Sequence, residues 1–226
     1  MDLPRDIGGR VGLLGGTFDP IHNGHLAIAD LARKRCSLDA VVFIPAASPP
    51  HKGGQSISLM QHRQRMLELV CDVASGYYVS TLEAQRPGPS YTVDTLRSLK
   101  NHFSPQTELF FIIGTDSFID LPSWKEPRHL LDYASLVVVN RSLQHTAAIH
   151  QILGLHFPTY RQDREEKVFR SKRGGGAIIM LDMEPVEVSA TGIRQRVRQR
   201  LSITGLVPPA VEAYIAEQGL YTGKKV

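Results

Sequence analysis

His22 and His25 stand three residues apart in the stretch GGTFDPIHNGH (15–25), just behind two adjacent glycines. On a helix that spacing places two imidazoles one above the other, facing the same incoming group. Gly15 and Gly16 lack a Cβ, so backbone N–H groups around them can come close to a ligand oxygen or take up positive φ. Pro20 and Asn23 mark the start of a helix running through HLAIADLARK, and its dipole backs the histidines. The chemistry open to such a group is the stabilisation of an anion that gains charge during reaction. Surface decoration or packing is the plainer use of a histidine pair, and the glycines tell against it. A metal site would need a third ligand at suitable spacing or an HExxH pattern, and neither is present. Asp19 could bind a metal or cap the turn, and standing before a proline it reads as a turn residue that caps.

A second anion site is written in VSATGIRQRVR (188–198). Ser189 and Thr191 are natural helix caps, and Arg194 follows in the first turn beside them. Arg196, Arg198 and Arg200 read as solvated charge. In IPAASPPHK (44–52), Lys52, with His51 beside it, sits on a proline-rich turn behind a strand, as solvated charge or as a phosphate contact. SYTVDTL (90–96) opens another helix, where Ser90 or Thr92 as cap leaves N–H donors for an anion. In IIGTDSFIDLPSW (112–124), Asp116 can cap the next helix, and Trp124, the only tryptophan, is core or a stacking surface.

Short apolar runs alternate with longer helical patterns, which predicts a doubly wound α/β sheet, parallel and covered by helices on both faces. The expected strands are 10–15, 40–46, 77–84, 108–114, 135–141 and 177–182. The expected helices are 23–35, 59–74, 91–102, about 145–153, 191–200 and 209–218. Ligands of such sheets bind beyond the carboxyl ends of the strands, where all these candidates fall. The mixed charge from about 142 to 175 reads as a helix and a solvated loop. The length of 226 residues suits one domain over 1–226, with the Ser/Thr-Arg motif and a short helical part at about 183–226.

The formal charge of +4 suits phosphate-bearing small molecules as well as nucleic acid. The opening MDLPRDIGGR has no basic segment followed by an apolar run, and no stretch nears the roughly 20 apolar residues of a membrane span. A cytoplasmic protein is expected, with Cys36 and Cys71 as buried reduced thiols. The glycines do not spell GxGxxG, and no GxxxxGK[ST] loop occurs.

GGTFDPIHNGH resembles the HxGH signature of the nucleotidyltransferase α/β phosphodiesterase superfamily, and VSATGIRQRVR is similar to its second motif. Within it the chain resembles bacterial nicotinate mononucleotide adenylyltransferases over nearly its whole length, through IPAASPPHK, SYTVDTL, IIGTDSFIDLPSW and LVPPAVEAYIAEQGLY (206–221). Ala190 stands where that family often has Ser. The resemblance implies a Rossmann-like fold and adenylyl transfer from ATP, with Mg²⁺ carried on the phosphates, to nicotinate mononucleotide, without nucleic acid or membrane partners. It implies His22, His25 and Arg194 as catalytic residues, and Gly15, Gly16, Thr17, Phe18, Ser189 and Thr191 with them around ATP. It implies His51, Lys52, Thr92, Asp116 and Trp124 around the acceptor, and adenine near the backbone of Asn140 and Arg141. Phosphopantetheine adenylyltransferases share the chemistry but usually have Thr in place of the first histidine. An assembly of identical subunits is compatible with the sequence.

Overall fold

The computed structural model describes residues 3–4, 7–47, 57–86, 88–140, 146–163 and 167–223. The sequence-predicted strands and helices form in order: β1 (Arg10–Gly16), α1 (Asn23–Arg35), β2 (Ala40–Pro45), α2 (Met60–Cys71), β3 (Tyr77–Val79), α3 (Thr92–His102) and β4 (Glu108–Gly114). A short α4 (Thr115–Asp120) and two 3₁₀ turns lead to β5 (Ser135–Asn140) and α5 (Thr146–His156). The chain continues through β6 (Tyr160–Gln162), β7 (Val168–Ser171), β8 (Ile178–Asp182), α6 (Ala190–Arg198) and α7 (Pro209–Glu217).

One sheet runs β3-β2-β1-β4-β5-β8-β7-β6, parallel from β3 through β8. The period-2 geometry of the strands splits their side chains between two cores. Val42, Phe111 and Val138 pack on one face under α3, α4 and α5. Val41, Ile112 and Val137 pack on the other under α1, α2, α6 and α7. Both faces are covered, which explains why these strands read as continuous apolar runs.

Two expectations need correction. The segment at 142–175 holds more than a helix and a loop: β6 and β7 pair antiparallel, and Val168 and Phe169 join Ile179 and Ile178 of β8. The described charges of this stretch, Arg161, Asp163, Lys167, Arg170, Lys172 and Arg173, are exposed, while Val168 is buried, so among the described residues of the ribbon one buried side chain carries the strand signal. The strand expected over 77–84 ends at Val79. Ser80 still donates its N–H to the Phe43 carbonyl at 2.9 Å, and 82–85 then form a turn.

Both cysteines are free, Cys36 buried and Cys71 half-buried. Burial, then the neighbouring Asp72 and Glu68, pushes the Cys71 thiol up to about 12, so it stays protonated and unreactive.

Candidate active site

β1 is flanked by β2 on one side and β4 on the other, so the chain winds in opposite directions from it and opens a crevice at the carboxyl ends of β1 and β4. A cavity of about 620 Å³ occupies that crevice. Gly15, Gly16, Thr17, His22, His25 and Ser189 line its wall, and so do Thr92, Asp116 and Trp124.

His22 occupies the cap position of α1 and is buried, while His25 is half-buried in the first turn. Their rings stack with centroids 3.7 Å apart and 22° between planes. The His22 backbone N–H donates to His25 Nδ1 at 3.3 Å. A His25 ring that accepts at Nδ1 carries its ring proton on Nε2. Phe18 does not line the cavity. It is 1 % exposed, holds a left-handed φ of 50°, and sets its ring edge-on to His25 at 5.0 Å. Gly16 makes room for that ring, since a Cβ there would lie 2.9 Å from Phe18 Cζ. Gly24, between the histidines, leaves room for the chain leading into α6, because a Cβ would meet Val188 Cγ1 at 2.9 Å.

Ser189 caps α6, its Oγ accepting from Gly192 N–H at 3.1 Å. Thr191 is exposed and outside the cavity wall; it accepts from Arg194 Nη2 at 3.2 Å. Arg194 Nη1 donates to the Asp19 carbonyl at 2.7 Å, which ties the second motif to the first. Tyr91, rather than Ser90 or Thr92, holds the cap position of α3, and its side chain makes no capping bond. The first turn of α3 therefore presents Thr92 and its N-terminal dipole to the cavity without a side-chain cap. Gly114 holds the cap position of α4, leaving Asp116 exposed in the first turn at the cavity wall. Trp124 is half-buried, with Phe111 edge-on at 6.3 Å. His51, Lys52 and Arg141 lie outside the described residues. Asn140 is buried away from the cavity wall, bonded to Thr115 and Asp182.

Two residues with no sequence-level role belong to the site. Glu83 is buried in the cavity wall and accepts from Thr95 Oγ1 at 2.7 Å. Arg63, 2 % exposed, donates to the carbonyls of Thr17 at 2.9 Å, Ala46 at 2.8 Å and Ser58 at 3.0 Å. It thereby fastens the loop after β1 to the loop after β2. Burial pulls its pKa below the usual value, opposed by the carboxylate of Asp19.

Residues 13–196 match the cytidylyltransferase-like family model. The chain is 41% identical to a probable nicotinate-nucleotide adenylyltransferase of Geobacter sp. (strain M21), with 94% of this chain and 98% of that one covered. It is 37% identical to the Desulfotalea psychrophila protein of the same name, over 94% and 99% of the two chains. The chain belongs to the nicotinate-nucleotide adenylyltransferase family. A solved structure of Plasmodium falciparum nicotinic acid mononucleotide adenylyltransferase complexed with NaAD superposes with a TM-score of 0.72 at 17% identity, covering 96% of this chain and 98% of that one. That likeness is one of fold, a doubly wound Rossmann-like sheet. Membership of this adenylyltransferase family gives the stacked histidines and the uncapped α3 a common setting: both face one crevice at the switch point of the sheet.

Proposed function

We propose that this chain transfers the adenylyl group of ATP to nicotinate mononucleotide, releasing pyrophosphate and forming nicotinate adenine dinucleotide. The observation that carries the reading is one cavity lined by a stacked histidine pair at one helix start, by a second helix start whose cap residue makes no side-chain bond, and by a tryptophan, in a chain of this family.

The attacking group is a phosphate monoester whose second pKa of about 6 leaves it largely dianionic at neutral pH, so it needs no general base. The barrier is the approach of two anions, and the protein's task is to position them and to stabilise charge moving onto the leaving pyrophosphate. His22, His25, the Gly15–Gly16 backbone and Arg194 act on the polyphosphate. His25 does so through Nε2–H, with its ring oriented by the His22 amide. Thr17 and Ser189 complete that side, with Phe18 and Thr191 supporting it from behind. Lys52 and His51 meet the acceptor phosphate. The first turn of α3 at Thr92 receives the ring carboxylate, Trp124 stacks on the pyridinium, and Asp116 takes a ribose hydroxyl.

Among the described residues no cluster of three or more His, Cys, Asp and Glu side chains forms an ion site, and Asp19 spends its carboxylate on Ser58 and Tyr221. These residues fit a Mg²⁺ ion that arrives on the triphosphate as part of the substrate, where it supplies positive charge the protein lacks. No described helix is long and apolar enough to cross a membrane.

The deciding experiment is pyrophosphate release from ATP and Mg²⁺ with nicotinate mononucleotide, nicotinamide mononucleotide or phosphopantetheine as acceptor. Strong preference for the first supports the reading. Preference for the amide removes the carboxylate site at α3, and release with none removes the substrate assignment.

Glu83 gives a narrower test. Thr95 Oγ1 lies 2.7 Å from Glu83 but 3.3 Å from the Tyr91 carbonyl of its own helix, so the carboxylate anchors the first turn of α3. Glu83→Ala should raise KM for the acceptor about tenfold and leave KM for ATP unchanged, as fits the loss of a hydrogen bond to a charged group. Equal changes in both constants would deny Glu83 this local role.

A further inference from the structure

Asp19 is a meeting point for three distant segments. Its Oδ1 accepts from the Tyr221 hydroxyl at 2.7 Å, its Oδ2 from the Ser58 N–H at 3.2 Å, and its backbone carbonyl from Arg194 Nη1 at 2.7 Å. The carboxylate is 4 % exposed, so each donor replaces water that burial has removed. Neither Asp19 nor Tyr221 lines the cavity. Any effect of theirs on chemistry runs through Arg194 and through the loop that carries Thr17 and His22.

Tyr221 is brought there at some conformational expense. Gly219 turns the chain beyond α7 with φ 59°, and Tyr221 itself holds φ 65°, a backbone that bulky residues seldom adopt. The ring packs against the core beneath α1, α2 and α7, so the hydroxyl is the part that reaches the loop. Burial and the adjoining Asp19 carboxylate push its pKa up, outweighing Ser58 and Arg194, which pull it down. At physiological pH it is a neutral O–H donor to a buried anion.

We propose that Tyr221 is a positioning residue for the donor-phosphate site. Through Asp19 it makes the C-terminal segment a brace for the loop bearing Thr17 and His22 and for the Arg194 guanidinium. The inference rests on the adenylyl-transfer reading above.

The test compares the full-length chain with Tyr221→Phe, which keeps the ring and removes the donor. ATP affinity is measured by titration calorimetry with a non-hydrolysable ATP analogue and Mg²⁺, beside KM for each substrate and the melting temperature. Tyr221→Phe should weaken analogue binding and raise KM for ATP about tenfold, with KM for the acceptor within about twofold, as expected for a lost hydrogen bond to a charge. Tyr214→Phe serves as the control: it loses the 2.9 Å bond to His62 Nδ1 between α7 and α2, and should move the melting temperature without moving ATP affinity. A chain ended at Leu220 should reproduce the ATP defect by a second route. Unchanged ATP affinity in both Tyr221 variants overturns the proposal, and so does an equal ATP defect in Tyr214→Phe. If the wild-type chain binds the analogue but transfers no adenylyl group, the functional reading falls while the affinity comparison still decides the role of Tyr221. A wild-type chain that binds no analogue overturns both.

Discussion

Replacing His25 with alanine is expected to cut kcat by about 10²–10³-fold, the usual cost of removing one preorganised donor from a site where charge develops. The geometry explains why the loss should fall on kcat. His25 Nδ1 is engaged by the His22 amide and its ring is held between His22, at 3.7 Å, and the edge of Phe18, at 5.0 Å. The ring is therefore fixed before substrate arrives, and in the proposed role little reorganisation is required as pyrophosphate departs. KM for ATP should change only a few-fold, because a contact that strengthens in the transition state contributes little to ground-state binding. The fold should survive, since His25 is half-buried and is itself a member of neither core. Steady-state kinetics beside circular dichroism and thermal melting will check this, with His25→Asn as an intermediate that keeps an N–H donor. Turnover near wild type in His25→Ala would remove the histidines from the mechanism.

Arg63→Met should have the largest effect on stability. The guanidinium makes three hydrogen bonds to backbone carbonyls and lies near the Asp19 carboxylate, all inside the protein. A methionine fills a similar volume but leaves those carbonyls without their donors and Asp19 without its neighbouring cation. Breaking a buried charge arrangement from one side costs about 3–5 kcal/mol, which for a chain of this size lowers Tm by roughly 10 °C or more. Because the three carbonyls belong to the two loops flanking the crevice and to the approach to α2, KM should rise for both substrates. Arg63→Lys, with one compact cation in place of a fork, should fall between the two. A methionine variant that melts like wild type would show that the loops hold their places without the guanidinium.

The legibility of these features in the sequence follows how local each one is. α1 was expected at 23–35 and forms at Asn23–Arg35, because its start signal and apolar spacing lie within the helix itself. The doubly wound sheet was legible for the same reason, through strands buried on both faces. The site was legible as a set of motifs at strand ends. It was not legible as a set of contacts, since Phe18 beneath His25 and Arg194 against Asp19 depend on elements far apart in the chain. Arg63 did leave a trace: with Met66, Leu67 and Val70 it completes the buried stripe of α2, and a cation on an apolar stripe calls for buried acceptors. Glu83 left none, because a glutamate in a turn after a strand looks the same whether it faces water or a cavity. The β6–β7 ribbon was missed because Arg161, Gln162 and Arg170 are exposed, which is how a strand at the rim of a sheet is built.

That rim bears on how the protein behaves when crowded. Among the described residues the sheet ends at β3 on one side and β6 on the other, each three residues long, and the β6 margin carries Arg161. Each margin offers a stray strand a very short row of free peptide groups, and on one side a charge to desolvate as well. A largely parallel core assembles slowly from distant segments and passes through partly paired states prone to self-association. Short and charged margins keep the finished molecule from serving as a template for its own unfinished copies, a safeguard against aggregation that owes nothing to the active site.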